Sequence, residues 1–443
     1  MTGTGLIARS HLPRQSFGDL HAAQPPRVRE SKVALGLAVG AIIALPLLRP
    51  QGPGNTAPIV DVLIALVCVT TLYWSGTAHV RVRLPYAVPV AMLVAGGSIA
   101  ALAHEQSTTA VTALVQDVVL LVWCGALTTL AVTARAIQVL LRTWVLSSVG
   151  WATVMVTGVV THQAGLAGIT AREGSRAMLT FGDPNVAANF FVVSFMLVLA
   201  TRYPRRRAPR LACCLVLIAA VVVTGSNGGM VSLLVGAAIV GVAAFFRRFG
   251  IVQCLAMVCL VSGSGLVFVV VTGVSIPGYI SSVRQAAKDN FLFHDSVGRA
   301  SQSEQTRGLL LSEAVTLYRD SSFLGIGPAA TKQTLIDRQA LYVKEAHSDY
   351  IAALVERGLF GALGLLALIG VSAVRGRSAV RGSNATGNRA LADVVPCPTA
   401  LVAGLVTFAL AGAFYEVLHF RHLWAFLGIV AALGYVAGRD LER

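Results

Sequence analysis

Charge is scarce in this chain. Only 12% of its 443 residues are Asp, Glu, Lys or Arg, where a soluble domain carries about 25%. That shortage excludes a soluble globular fold and points to an integral membrane protein. Lysine is nearly absent, present only as Lys32, Lys288, Lys332 and Lys344, so arginine carries almost all of the net charge of +15. No basic stretch is interleaved with exposed aromatics, which argues against a nucleic-acid partner; the charge reads instead as loop arginines facing acidic lipid or an anionic substrate. The seven cysteines (Cys68, Cys124, Cys213, Cys214, Cys254, Cys259 and Cys397) form no CxxC pair, and most lie in apolar runs. They read as small buried hydrophobes, so neither a metal nor another cofactor is expected. The first 32 residues hold Arg9, Arg14, Arg27, Arg29 and Lys32, with no apolar core and small-residue cleavage site behind them. The expectation is an uncleaved, disordered cytoplasmic tail over 1–32.

What the chain has instead is apolar length, with 55% hydrophobic residues. A spanning helix needs about 20 mostly apolar residues, and windows of that kind fall near 33–49, 58–75, 85–104, 110–133, 137–161, 186–202, 210–225, 229–246, 251–275, 350–374, 398–419 and 421–438. The expected fold is therefore all-α, with about twelve transmembrane helices and a long, partly helical extracytoplasmic loop before the tenth. Helices 1–9 occupy 33–275, the loop 276–346, helices 10–12 347–438, and a second cytoplasmic tail 439–443. Orientation follows from the short connections. Arg81, Arg83, Arg135, Arg142, Arg202, Arg205, Arg206, Arg207, Arg210, Arg247, Arg248, Arg375, Arg377, Arg381 and Arg389 fall on one side, with both termini. That side is expected to be cytoplasmic. Within 276–346, residues 304–319 look helical and 321–329 read as a turn. No transporter-type repeat stands out.

Four polar clusters fall on the opposite side. The first runs from Arg172 and Arg176 to Phe181-Gly182-Asp183-Pro184-Asn185, with Asn185 a candidate helix cap. The second is Thr224-Gly225-Ser226-Asn227-Gly228-Gly229. The third is Arg299, Glu304 and Arg307. The fourth is His347 with Asp349 and Tyr350. Arginines give bidentate, permanently charged contacts to phosphate, helix N-termini add free N–H groups, and a histidine of near-neutral pKa can take a proton from a hydroxyl. Each residue also has a plainer reading. A lone histidine at a helix start is more often a cap, Arg172 and Arg176 could anchor to lipid headgroups, and Arg299 and Arg307 could pair with Glu304 or Glu313. His419 and His422 read as structural. After His347, Gly358, Gly361 and Gly364 recur every three residues, which predicts a close helix contact. The apolar run begins only near Leu359, so the start of that helix projects beyond the hydrocarbon.

These clusters resemble, in order, those of the bacterial O-antigen ligase and O-antigen polymerase superfamily. Arg176 followed by Gly182-Asp183-Pro184-Asn185 is similar to that family's basic residue and Gly-x-Pro-Asn. Arg307 followed by Leu324-Gly325-Ile326-Gly327 is similar to its Arg and Leu/Val-Gly-x-Gly turn. Ala346-His347-Ser348-Asp349-Tyr350 with Glu356-Arg357-Gly358-Leu359-Phe360-Gly361 is similar to its Ala-His-Asn-x-Tyr-Leu…Glu-x-Gly-Leu-x-Gly signature. The resemblance implies a metal-independent, inverting glycosyltransferase. It would pass a glycan from a polyprenyl-diphosphate carrier to the hydroxyl of a glycan or lipid-glycan acceptor, at the outer face of the bacterial cytoplasmic membrane. His347 would be the base or the residue that orients the acceptor, and Arg176 and Arg307 would hold the diphosphate. Two positions depart from the pattern. Asn227 stands where the family has an arginine, for which Arg172 or Arg299 could substitute, and Ser348 stands where it has asparagine. The excess of arginine over lysine suggests a GC-rich bacterial source and tilts the reading toward polymerase over ligase. The alternatives are a transporter or flippase of polyprenyl-linked substrates, which would need ionisable groups such as Asp61 and Asp117 within the spans, and a non-catalytic membrane partner.

Overall fold

A computed structural model describes residues 30–48, 58–104, 108–170, 174–272, 312–321, 323–339, 348–384 and 389–441. Among the described residues there is no strand. The helices are α1 (Lys32–Ile43), α2 (Ile59–Thr77), α3 (Ala87–Ala103), α4 (Thr108–Leu130), α5 (Ala134–Val160), α6 (Ala164–Ala167), α7 (Pro184–Thr201), α8 (Arg207–Val223), α9 (Asn227–Thr272), α10 (Thr331–Asp337), α11 (Asp349–Asn384), α12 (Arg389–Val394), α13 (Thr399–Ala411) and α14 (Arg421–Leu441). A further helical stretch covers 312–320.

The expectation of twelve spans is corrected. Among the described residues seven helices are long and apolar enough to cross a membrane: Ile59–Thr77, Thr108–Leu130, Ala134–Val160, Pro184–Thr201, Asn227–Gly250, Asp349–Gly382 and Arg421–Gly438. Apolar runs overcount spans because a run of apolar residues is not always a helix of the same length. The window at 33–49 gives a helix that ends at Ile43, followed by a turn into Pro46, which has no N–H to extend the ladder. Its 12 residues at about 1.5 Å each fall short of a hydrocarbon core about 30 Å thick. The window at 398–419 gives only the 13 residues of α13, and irregular backbone follows over 412–420. The windows at 85–104 and 210–225 give 17-residue helices. Helix α9 is broken at Gly250, whose φ of 80° and ψ of 170° are not helical; the apolar span ends there, at Asn227–Gly250, and residues 251–272 form a second helical stretch that is not among the seven.

Helices α7 and α14 form the interior of the bundle and are buried along most of their length. Trp144 of α5 donates from Nε1 to Ser194 Oγ of α7 at 3.0 Å and stacks on Phe190. Inside a bilayer, lipid tails are as apolar as leucine, so helices associate through close packing and buried hydrogen bonds. The glycine spacing on α11 has that role. A Cβ on Gly364 would lie 2.9 Å from Leu93 N, and one on Gly96 of α3 would lie 2.7 Å from Gly361 N. Side chains at these positions would force α3 and α11 apart.

Gly358 does something else. It interrupts α11 with φ 66° and ψ −170°, left-handed backbone that a residue with a Cβ adopts only under strain. A Cβ there would also collide with the Leu324 carbonyl. Gly358→Ala is therefore expected to lower stability by about 1–3 kcal/mol, read as a lower unfolding midpoint of the purified protein. An unchanged midpoint would mean that the kink is not required.

Candidate functional site

The first cluster is built where α7 begins and α8 turns into α9. Arg176 donates from Nε to the Thr224 carbonyl at 2.9 Å and from Nη2 to Asn185 Oδ1 at 3.1 Å. Ser226 Oγ donates to the same Asn185 oxygen at 2.8 Å and accepts from Gly229 N at 3.1 Å. A guanidinium half-buried among three chain segments is thus held in one orientation. The cap of α7 is not Asn185, as its position suggested, but Asp183, whose Oδ1 accepts from Asn185 N at 2.6 Å and Val186 N at 3.4 Å. The carboxylate occupies the N–H groups that an anion would otherwise use, which leaves the arginine as the cationic element here. Asn227, the first residue of α9, is exposed beside the cluster.

The second cluster fixes the start of α11. Asp349 is 4% exposed. Its N–H bonds the Gly412 carbonyl at 2.8 Å. Its carboxylate accepts from Val417 N at 2.9 Å and Leu418 N at 3.3 Å. One residue on, the Tyr350 hydroxyl donates to the Ala409 carbonyl at 2.9 Å. The two residues after His347–Ser348 are thereby fastened to the 409–418 segment. That segment also touches the first cluster, since a Cβ on Gly228 would lie 2.9 Å from the Tyr415 ring. Tyr415 is buried, and burial pushes its hydroxyl well above the usual tyrosine range, so it stays protonated. Asp349→Asn would turn one acceptor into a donor facing a backbone N–H. Leaving that group unsatisfied costs about 1–3 kcal/mol, so a drop in the unfolding midpoint is expected; no drop would mean the Val417 and Leu418 N–H groups find other acceptors.

The third cluster docks the Leu-Gly-x-Gly turn on α11. Glu356 accepts from Ala329 N at 2.8 Å through Oε2 and from Thr331 Oγ1 at 2.7 Å through Oε1. The N–H groups of Ile326 and Gly327 bond the carbonyls of Val355 and Glu356 at 2.9 and 3.0 Å. Of the expected helix over 304–319 and turn over 321–329, the described residues are helical over 312–320 and non-helical at 321 and 323–329.

Several functional-looking contacts had no visible partner in the sequence. Arg357 pairs with Asp117 of α4, and Arg421 makes a two-pronged contact to Asp61 of α2 at 2.9 and 2.8 Å. His422 meets Asn189 Oδ1 at 2.8 Å among Phe181, Phe190, Phe408 and Phe420, a structural position. The available signal was negative: a carboxylate in an apolar window must find a partner, but its identity lies hundreds of residues away.

Of the candidate site residues, Arg176, Asn227 and Tyr350 are placed as above. His347, Arg172, Arg299 and Arg307 lie outside the described residues, as do the first 29 residues and most of 276–346. A family model described as O-Antigen ligase matches residues 212–366. The matched segment contains Asn227, Arg299, Arg307, His347, Tyr350 and Glu356, while Arg172 and Arg176 precede it. No curated protein matches the chain.

Proposed function

We propose that the chain belongs to the O-antigen ligase family, whose model matches residues 212–366, and that it uses a polyprenyl-diphosphate donor in an inverting, metal-independent transfer with specific roles for its polar residues. On that reading its function is glycan ligation or polymerisation at the membrane, in a multi-pass helical protein. We place it in the bacterial cytoplasmic membrane, both termini inside and the 276–346 segment outside.

In this reading His347 takes the proton of the acceptor hydroxyl as its oxygen attacks the anomeric carbon. The bond from that carbon to the carrier diphosphate breaks on the opposite face, and its electron pair leaves with the phosphate. Arg176 and Arg307 neutralise the departing charge, with Arg172, Arg299 and Asn227 around them. Tyr350 and Asp349 hold the segment that carries His347.

The observation that best supports the reading is the seating of Arg176. Thr224 and Asn185 aim its guanidinium at a point where three segments meet, and the anchored start of α11 adjoins it through Tyr415 and Gly228. The two carboxylates on which a transporter reading would depend, Asp61 and Asp117, are both paired with arginine.

Arg176→Ala is expected to raise the KM for the lipid-diphosphate donor by about tenfold or more, the loss of one charge-assisted contact, with partial rescue by Arg176→Lys. An unchanged KM would remove Arg176 from the donor site.

A further inference from the structure

Helices α11 and α13 close on each other at two places and part between them. At one end Gly412, just past α13, meets Asp349; a Cβ on Gly412 would lie 2.9 Å from Oδ2. At the other, a Cβ on Gly376 would lie 2.7 Å from Leu405 Cδ1. Between these contacts α14 does not fill the gap, and a cavity of about 430 Å³ remains, walled by apolar residues such as Leu365, Ile369, Val402 and Leu423. Val406 on its wall is 38% exposed, so the cavity opens sideways toward the bilayer.

An apolar space beside lipid does not stay empty. Its lining atoms would forgo dispersion contacts, and water entering it would find too few polar partners. The volume falls within the range of about 300–1,000 Å³ usual for a small-ligand site. The charged residues on its lining are Asp349 near one end and Arg377 near the other. A carboxylate already saturated by backbone N–H groups repels an anion, so a lipid phosphate belongs at the Arg377 end. Arg381 follows one turn later on the same face. Both arginines are exposed, and among the described residues neither forms an ion pair.

We propose that this cavity is a binding site for an anionic phospholipid of the surrounding bilayer, with its phosphate on Arg377 and Arg381 and an acyl chain in the cavity. The site does not depend on the glycan-transfer reading. On the orientation expected from the loop arginines, the headgroup lies in the cytoplasmic leaflet.

The test is native mass spectrometry of the full chain, purified in mild detergent and exposed to mixed micelles of equal phosphatidylglycerol and phosphatidylcholine. Retention of one phosphatidylglycerol with about tenfold preference or more is expected, the scale of attraction from two interfacial arginines. The paired change Arg377→Glu and Arg381→Glu should abolish the preference, and Val406→Trp, which fills the cavity from its exposed wall, should remove the bound lipid. Equal retention of the two lipids, or a preference that survives the arginine changes, would overturn the proposal. So would a bound polyprenyl phosphate that Val406→Trp displaces and the arginine changes do not.

Discussion

His347→Ala is expected to slow glycan transfer by about 10²–10⁴-fold, the range that a positioned general base supplies, while the protein still inserts and stays folded. The expectation rests on chemistry and on anchoring. A neutral acceptor hydroxyl is a poor nucleophile and needs its proton removed as the new bond forms. A diphosphate leaves readily once its charge is neutralised, so the base is the group whose loss should be felt most. The anchoring is visible two residues on, where the carboxylate and N–H of Asp349 hold this point of the chain to residues 412, 417 and 418. Turnover by purified His347→Ala protein, on defined lipid-linked donor and acceptor, measures the effect directly. Wild-type-like turnover would exclude His347 as the base.

The second large effect concerns stability. Arg357 and Asp117 form an ion pair whose side chains are only 11% and 12% exposed, and Arg357 also reaches the Leu93 carbonyl at 3.4 Å. Removing one partner leaves a charge stranded within the bundle. Such changes cost about 3–5 kcal/mol, whereas replacing both partners by apolar residues is often close to neutral. Arg357→Met or Asp117→Leu alone is therefore expected to lower the unfolding midpoint sharply, and the double change to recover most of the loss. The double variant also separates two roles for Asp117. If the pair is structural, the double variant keeps its transfer activity; if Asp117 carries a coupled proton or ion, activity is lost although stability returns. Single variants with wild-type midpoints would contradict the structural role.

The parts of this fold that depend on local pattern could be read in advance. Two of the three spaced glycines after His347, Gly361 and Gly364, marked the face on which α11 meets α3, while Gly358 meets the Leu324 carbonyl instead, and Ser-Ser-Phe-Leu-Gly-Ile-Gly-Pro-Ala read as a turn because glycine and proline allow little else. The number of spans could not be read this way. Hydropathy windows register apolar side chains, whereas a helix stops where its backbone does, as at Pro46 after α1 and after Ala411, where 412–420 runs irregularly beneath Asp349. Long-range polar pairing was equally hidden. The link from Asp349 to Val417 and Leu418 joins two apolar neighbourhoods with no shared motif. The α7 cap, by contrast, follows from local pattern: Pro184 takes the first helical position, which makes Asp183 the cap and puts Asn185 inside the helix, where it meets Arg176 and Ser226.

The most direct test of the central claim is mass spectrometry of the lipid-linked glycan pool in a strain lacking this protein, complemented in parallel by wild type and by His347→Ala. Carrier-linked glycans should accumulate in the deletion, disappear with wild type and persist with the variant. Single repeats would mark a polymerase and full-length chains a ligase. A pool unchanged by the deletion would contradict glycan transfer from a polyprenyl-diphosphate carrier.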